Sequence, residues 1–164
     1  MEYHSHLSKF IERAAVVDYF LSGLIVFRFI PNFQEEGKQL ANEFFDFFIR
    51  DKENGITFGR KISLFTTIAT KHYPNALPKY PHLSKSALKL INTHRNILAH
   101  SFANPKDNKE ANKKKEFILT SFNPDWTSGK APLTFNKCKD MEKAVQNTIN
   151  NLSKFYQEIG LSKG

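Results

Sequence analysis

The chain has 164 residues, 40% of them hydrophobic, which is enough for a substantial core and too many for a disordered segment. Twenty-four Lys and Arg against 16 Asp and Glu leave a net charge of +8, which favours an anionic partner over a cationic one. The single cysteine, Cys138, excludes an intramolecular disulfide and a thiolate metal cluster, a usage that fits a reducing, cytoplasmic address.

Helical periodicity dominates the first hundred residues. Leu7, Phe10, Ile11, Ala14, Val17, Leu21, Leu24 and Ile25 recur at three- and four-residue steps and predict a first helix over 5–30, ended by Pro31 and Asn32. Its most hydrophobic run, Leu21 to Ile30, contains Arg28 and is too short to span a bilayer, and no basic-then-apolar leader precedes it. Asp18 falls on the apolar stripe and needs a cationic partner if buried; Arg13, Arg28 and Arg95 are the candidates. A second helix is expected over 34–49, with Leu40, Phe44, Phe47 and Phe48 facing the core, and a loop at 51–55. Thr57 then caps a third helix, 57–72, carrying Ile62, Phe65, Ile68 and Ala69 inward. Pro74, Pro78 and Pro81 predict a stiff, extended connection, and Ser84 is placed to cap a fourth helix over 84–101.

Past Ser101 the pattern changes. A polar connector, Asn104 to Lys109, leads into the run Lys113–Lys114–Lys115. The β-branched and aromatic stretches Phe117–Thr120 and Pro132–Phe135 flank a turn-rich segment, predicting a small β-hairpin or flap over about 115–135. Met141, Val145, Thr148, Leu152, Tyr156 and Ile159 define a last helix over 137–159, with Asn136 as its cap and Gly160 as its stop. Most of the sixteen phenylalanines, clustered in the first two helices, should lie in the core or in an oligomer interface. The expectation is one domain over 1–164: an all-α, antiparallel bundle of about five helices with a small β-hairpin inserted before the last.

The fourth helix holds the chemistry. Asn92-Thr93-His94-Arg95-Asn96-Ile97-Leu98-Ala99-His100-Ser101 brings a permanent, planar cation and a histidine able to move a proton near neutral pH into a short stretch. At about 100° per residue, Ala87, Leu90, Ile91, His94, Ile97 and Leu98 share an apolar side, and Lys85, Lys89, Asn92, Thr93, Asn96 and His100 the polar one. Arg95 and His100 stand about 140° apart on an ideal helix. The length of the arginine, a distortion after Ala99, or two copies facing across a two-fold axis would bring them to one phosphate.

The pattern Arg95-Asn96-x-x-x-His100 resembles the signature of the HEPN superfamily, small all-helical domains that include many RNA-cleaving toxins and defence nucleases. The start Phe58-Gly59-Arg60-Lys61-Ile62 and the entry Leu133-Thr134 into the last helix also look right for the family. The resemblance implies a homodimer whose paired motifs form one cleft. In it Arg95 polarises the scissile phosphate, Asn96 orients its surroundings, and His100 serves as general base or acid. The implied reaction is metal-independent endoribonucleolysis ending in a 2′,3′-cyclic phosphate, with RNA as substrate, no cofactor, no membrane and a role as toxin or in phage defence. It leaves open a neutralising antitoxin partner. Some family toxins carry a modifiable tyrosine two residues after the histidine; Phe102 stands there in this chain, so that control is not implied. Lys85, Lys89, Asn92, Lys113, Lys114 and Lys115 are the candidate nucleic-acid contacts.

Plainer readings stand beside these. Arg95, Asn96 and His100 also suit polar packing at an interface or the closing of a helix C-terminus, in a non-catalytic binding or protein-interaction module. His94, on the apolar side, reads as a core or interface histidine. His4 and His6 point to different helix faces, and His72 and His82 have no carboxylate or cysteine spaced to complete a metal site. The lysine run also fits a solvated loop. Trp126 could stack on a base or fold back onto the bundle.

Overall fold

Among the described residues, five α-helices carry the fold: α1 Glu2–Phe29, α2 Glu35–Phe44, α3 Phe58–His72, α4 Lys85–Ala99 and α5 Phe135–Glu158. The computed structural model describes residues 2–30, 35–46, 55–99, 101–103, 116–122 and 128–161. The all-α reading holds, with each expected helix present. Three short strands lie between α4 and α5: β1 Ser101–Ala103, β2 Glu116–Phe122 and β3 Ser128–Thr134. They form one antiparallel sheet in the order β1-β2-β3, with Phe102 opposite Thr120 and Leu119 opposite Ala131.

Two compact units make up the chain: Met1–Ala14 with Leu90–Gln146, and Ala15–Lys89 with Asn147–Gly164. In the second unit, Leu21, Leu24 and Ile25 of α1, Ile62, Phe65 and Ala69 of α3, Leu83, Leu152 and Phe155 are fully withdrawn from solvent. Phe155 is the aromatic hub, meeting Phe65, Tyr73 and Tyr80 edge-on at ring distances of 6.0, 5.8 and 5.9 Å. The ion pair Asp18–Lys61 and the hydrogen bond Arg28–His72 advance in the same sense along α1 and α3. Those two helices therefore run parallel, as the first and third members of an up-and-down array must. Tyr156 donates to the Phe20 carbonyl oxygen and packs over Gly23, where a Cβ would lie at ordinary contact distance, 3.4 Å, from the phenol oxygen. In the first unit Phe10, Ala14, Ile91, Cys138, Met141 and Val145 are buried.

Local signals explain most boundaries. Thr57 caps α3, its hydroxyl accepting from the Arg60 N–H at 3.4 Å. Gly160, at φ 77°, ends α5 in a Schellman turn: its N–H reaches the Gln157 carbonyl at 3.2 Å, and the Leu161 N–H reaches that of Tyr156 at 2.9 Å. The cap of α5 is Thr134, not Asn136; the Thr134 hydroxyl accepts from the Lys137 N–H at 3.2 Å, so the helix begins two residues early. The proline-rich connection is not extended. Leu77–Lys79 and Pro81–Leu83 each close a 3₁₀ turn with proline in the first turn, where its fixed φ is helical and its missing N–H is no loss.

Four expected core positions lie outside, the first of them Ile11 of α1 at 42% exposure. Leu40 is 56% exposed because α2 buries the sector of Ala41 instead. Leu90 and Ile97 are exposed at 50% and 38% because α4 turns Leu88 and Ile91 inward. Phe29 is also exposed, and Phe33, Phe47, Phe48 and Trp126 lie outside the described residues.

Candidate active site

Helix α4 is started by Ser84, whose hydroxyl accepts from the Ala87 N–H at 3.3 Å and whose carbonyl accepts from Leu88 at 3.1 Å. Buried Leu88 and Ile91 set its inward side. Half-buried His94 packs its ring against Phe10 at 6.1 Å and 70°. That burial, with Lys137 nearby, lowers the His94 pKa, so the ring is neutral at pH 7 and belongs to the packing, as its helix face predicts.

Arg95 and Asn96 are exposed in the closing turns of the helix. The helix ends at Ala99 rather than 101, and Ser101 already pairs as a strand with Ser121. His100 and Lys113–Lys115 lie outside the described residues. Among the remaining candidates, Lys85 and Lys89 are exposed and Asn92 is half-buried. The candidate residues that can be followed thus lie on one helix, with Arg95, Asn96, Lys85 and Lys89 open to solvent.

Asp18 meets none of the three expected arginines. Its carboxylate is held by the buried Lys61 ammonium, 2.9 and 3.0 Å from its two oxygens. Arg13 goes to Glu142 at 2.6 Å, and the Arg28 Nε–H donates to His72 Nε2 at 3.1 Å. Lys61 was legible as a candidate in Arg60-Lys61-Ile62, where α3 turns it toward the same side as Phe65 and Ile68.

Sequence reading also missed a cluster joining α1 to α5. Glu142 takes hydrogen bonds from both His6 Nδ1 and the Arg13 guanidinium. The His6 bond above all, and then the Arg13 charge, hold its pKa below the usual carboxylate value. His6 and Arg13 are seven residues apart and so share a helix face, the signal that pairs them on one carboxylate. His6 is thus a hydrogen-bond partner of Glu142. Among the described residues no three His, Cys, Asp or Glu side chains gather in a group able to hold a metal ion.

A second missed feature is where the charge sits. From Gly55 to Lys106 the chain contains no Asp or Glu, while Arg60, Lys61, Lys71, Lys79, Lys85, Lys89, Arg95 and Lys106 contribute eight cations. That segment carries a charge equal to the whole net charge of +8, and the remainder balances. It spans α3 and α4, the helix with the motif.

No protein-family model matches the chain, and neither does any curated protein or solved structure. Among the described residues no helix is long and apolar enough to cross a membrane.

Proposed function

We propose that this protein is a HEPN-like, metal-independent endoribonuclease of toxin or phage-defence type, working in the cytoplasm as a homodimer. The observation that carries the reading is the exposed Arg95–Asn96 pair in the closing turns of α4, with His100 completing the motif in the sequence. The cationic, acid-free stretch of sequence in which the pair lies supports a polyanionic substrate.

In this reading His100 takes the proton of a ribose 2′-hydroxyl as the oxygen attacks the adjacent phosphorus. Arg95 offsets the negative charge that builds on the non-bridging oxygens, and Asn96 holds the phosphate in line. The P–O5′ bond breaks, the leaving oxygen takes up a proton, and the products are a 2′,3′-cyclic phosphate and a 5′-hydroxyl. None of the three residues is a carboxylate, so the reaction is written without a metal, and DNA, lacking the nucleophile, is not a substrate. Leu90 and Ile97, exposed seven residues apart on one side of α4, support a second copy docking beside the motif. Toxin-type action leaves room for an antitoxin partner.

The test is cleavage of a mixed RNA pool in EDTA by the wild type, His100→Ala and Arg95→Ala, with product ends mapped. Cyclic-phosphate ends from the wild type alone are expected, with each variant folded and dimeric and at least about 10²-fold slower. Absence of cleavage by a folded wild-type dimer would instead favour the non-catalytic binding module, in which the same substitutions weaken RNA affinity at most.

A further inference from the structure

Within the second unit an open groove of about 520 Å³ lies between the second half of α3 and the start of α4. Thr66, Thr67, Thr70 and Lys71 form one wall, Ser84 and Lys85 the other, and Leu77 and Leu83 complete the lining. Both lysines are exposed and, unlike Lys61 and Lys79, neither has an ion-pair partner among the described residues. Among the described residues no carboxylate lines the groove, and none occurs anywhere in the 52-residue stretch of sequence that builds it.

We propose that this groove holds the backbone of single-stranded RNA, with a phosphate between Lys71 and Lys85 and the hydroxyls of Thr67, Thr70 and Ser84 around it. Hydroxyl and ammonium donors are the groups that proteins commonly direct at phosphate oxygens. The groove volume falls in the range of about 300–1,000 Å³ typical of small-ligand sites, which suits a nucleotide or two rather than a duplex. Leu77 and the threonine methyls offer an apolar face to a ribose or base, backed by buried Leu83. Thr66 is already committed, its hydroxyl donating to the Ile62 carbonyl at 2.9 Å, so the donors are left to its neighbours. Lys71, which the motif does not include, becomes a binding residue, and Lys85 acquires a partner across the groove. The assignment rests on RNA being the substrate of the α4 motif, and it adds where the strand runs beyond that motif.

The test measures binding of a short, unstructured, 5′-labelled RNA to the full chain by fluorescence anisotropy across a salt series. The set is wild type, Lys71→Glu, Lys85→Glu, Thr70→Val and, as a control away from the groove, Lys154→Glu. Each groove lysine reversal should weaken binding about tenfold or more and reduce the salt slope by about one, with Thr70→Val weaker by a few-fold and Lys154→Glu unchanged. Equal losses for Lys154→Glu and the groove variants would overturn the proposal, leaving only diffuse attraction. An equal loss on duplex DNA of the same length would overturn the single-strand assignment. His100→Ala separates the two readings. If it abolishes cleavage while the groove variants bind like wild type, the groove fails and the nuclease stands. If the groove variants lose affinity and the wild type cleaves nothing, the groove stands and the nuclease fails.

Discussion

At the scale of single residues, the most consequential charge is Lys61, buried at 4% exposure with its ammonium on Asp18. Removing one partner of a buried pair leaves the other charge uncompensated, whereas replacing both with apolar or neutral groups restores most of the loss. Asp18 keeps about a third of its surface in water, which lets solvent recover part of the cost. Lys61→Ala should therefore destabilise by about 2–3 kcal/mol, below the full value for a sealed pair, with part of that loss coming from the cavity. The double variant Lys61→Met with Asp18→Asn should regain most of it. Urea denaturation measures both; a loss under about 0.5 kcal/mol for Lys61→Ala would mean that the pair contributes nothing net. The acid that needed a cation thus has one on α3.

At the scale of the elements, termini were set by short-range chemistry and faces by long-range packing. Gly160 illustrates the first: at φ 77° an L side chain is strained wherever its Cβ points, and nothing lies within 4 Å to compensate. Gly160→Ala should cost about 1–2 kcal/mol in urea denaturation and fray the end of α5, seen as lost amide protection at Leu161. Unchanged protection would mean that packing of Phe155, and not the turn, ends the helix. Helix α4 illustrates the second. Its apolar positions cover more than half its circumference, so periodicity alone did not decide which leucines turn inward. Packing chose Leu88 and Ile91, leaving Leu90 and Ile97 outward beside Thr93 and Asn96.

At the scale of the whole molecule, the titrating groups make stability fall on either side of neutrality. His72, desolvated and facing Arg28 and Lys71, and His94, buried beside Lys137, both have lowered pKa values. The unfolded chain protonates them first, so stability is full above 6.5 and declines as pH drops below that value. Glu142, held by His6 and Arg13, and Glu158, held by Lys79 and Tyr80, also have lowered pKa values, so a second decline begins below 4.5. On the alkaline side, Tyr156 is raised by burial and Tyr80 by its bond to Glu158, and stability is lost as pH rises past 10. Thermal unfolding across pH should thus give a plateau near neutrality with a two-step acid limb. Glu142→Gln should flatten the lower step; an unaltered acid limb in that variant would assign the step to Glu158 instead.

Taken by itself, the amino-acid sequence determined the order of the described helices, the caps at Thr57 and Ser84, the stop at Gly160, and the stretch where Arg95 and Asn96 stand. Those features depend on local hydrogen bonding and on a 3.6-residue period, which neighbouring residues are enough to establish. Lys61 as partner of Asp18, the Glu142 cluster, the outward turn of Leu90 and Ile97, and the groove joining Lys71 to Lys85 were decided by tertiary structure. Each depends on which helices become neighbours, and a charge or an apolar side chain carries no record in its own sequence of what will pack against it.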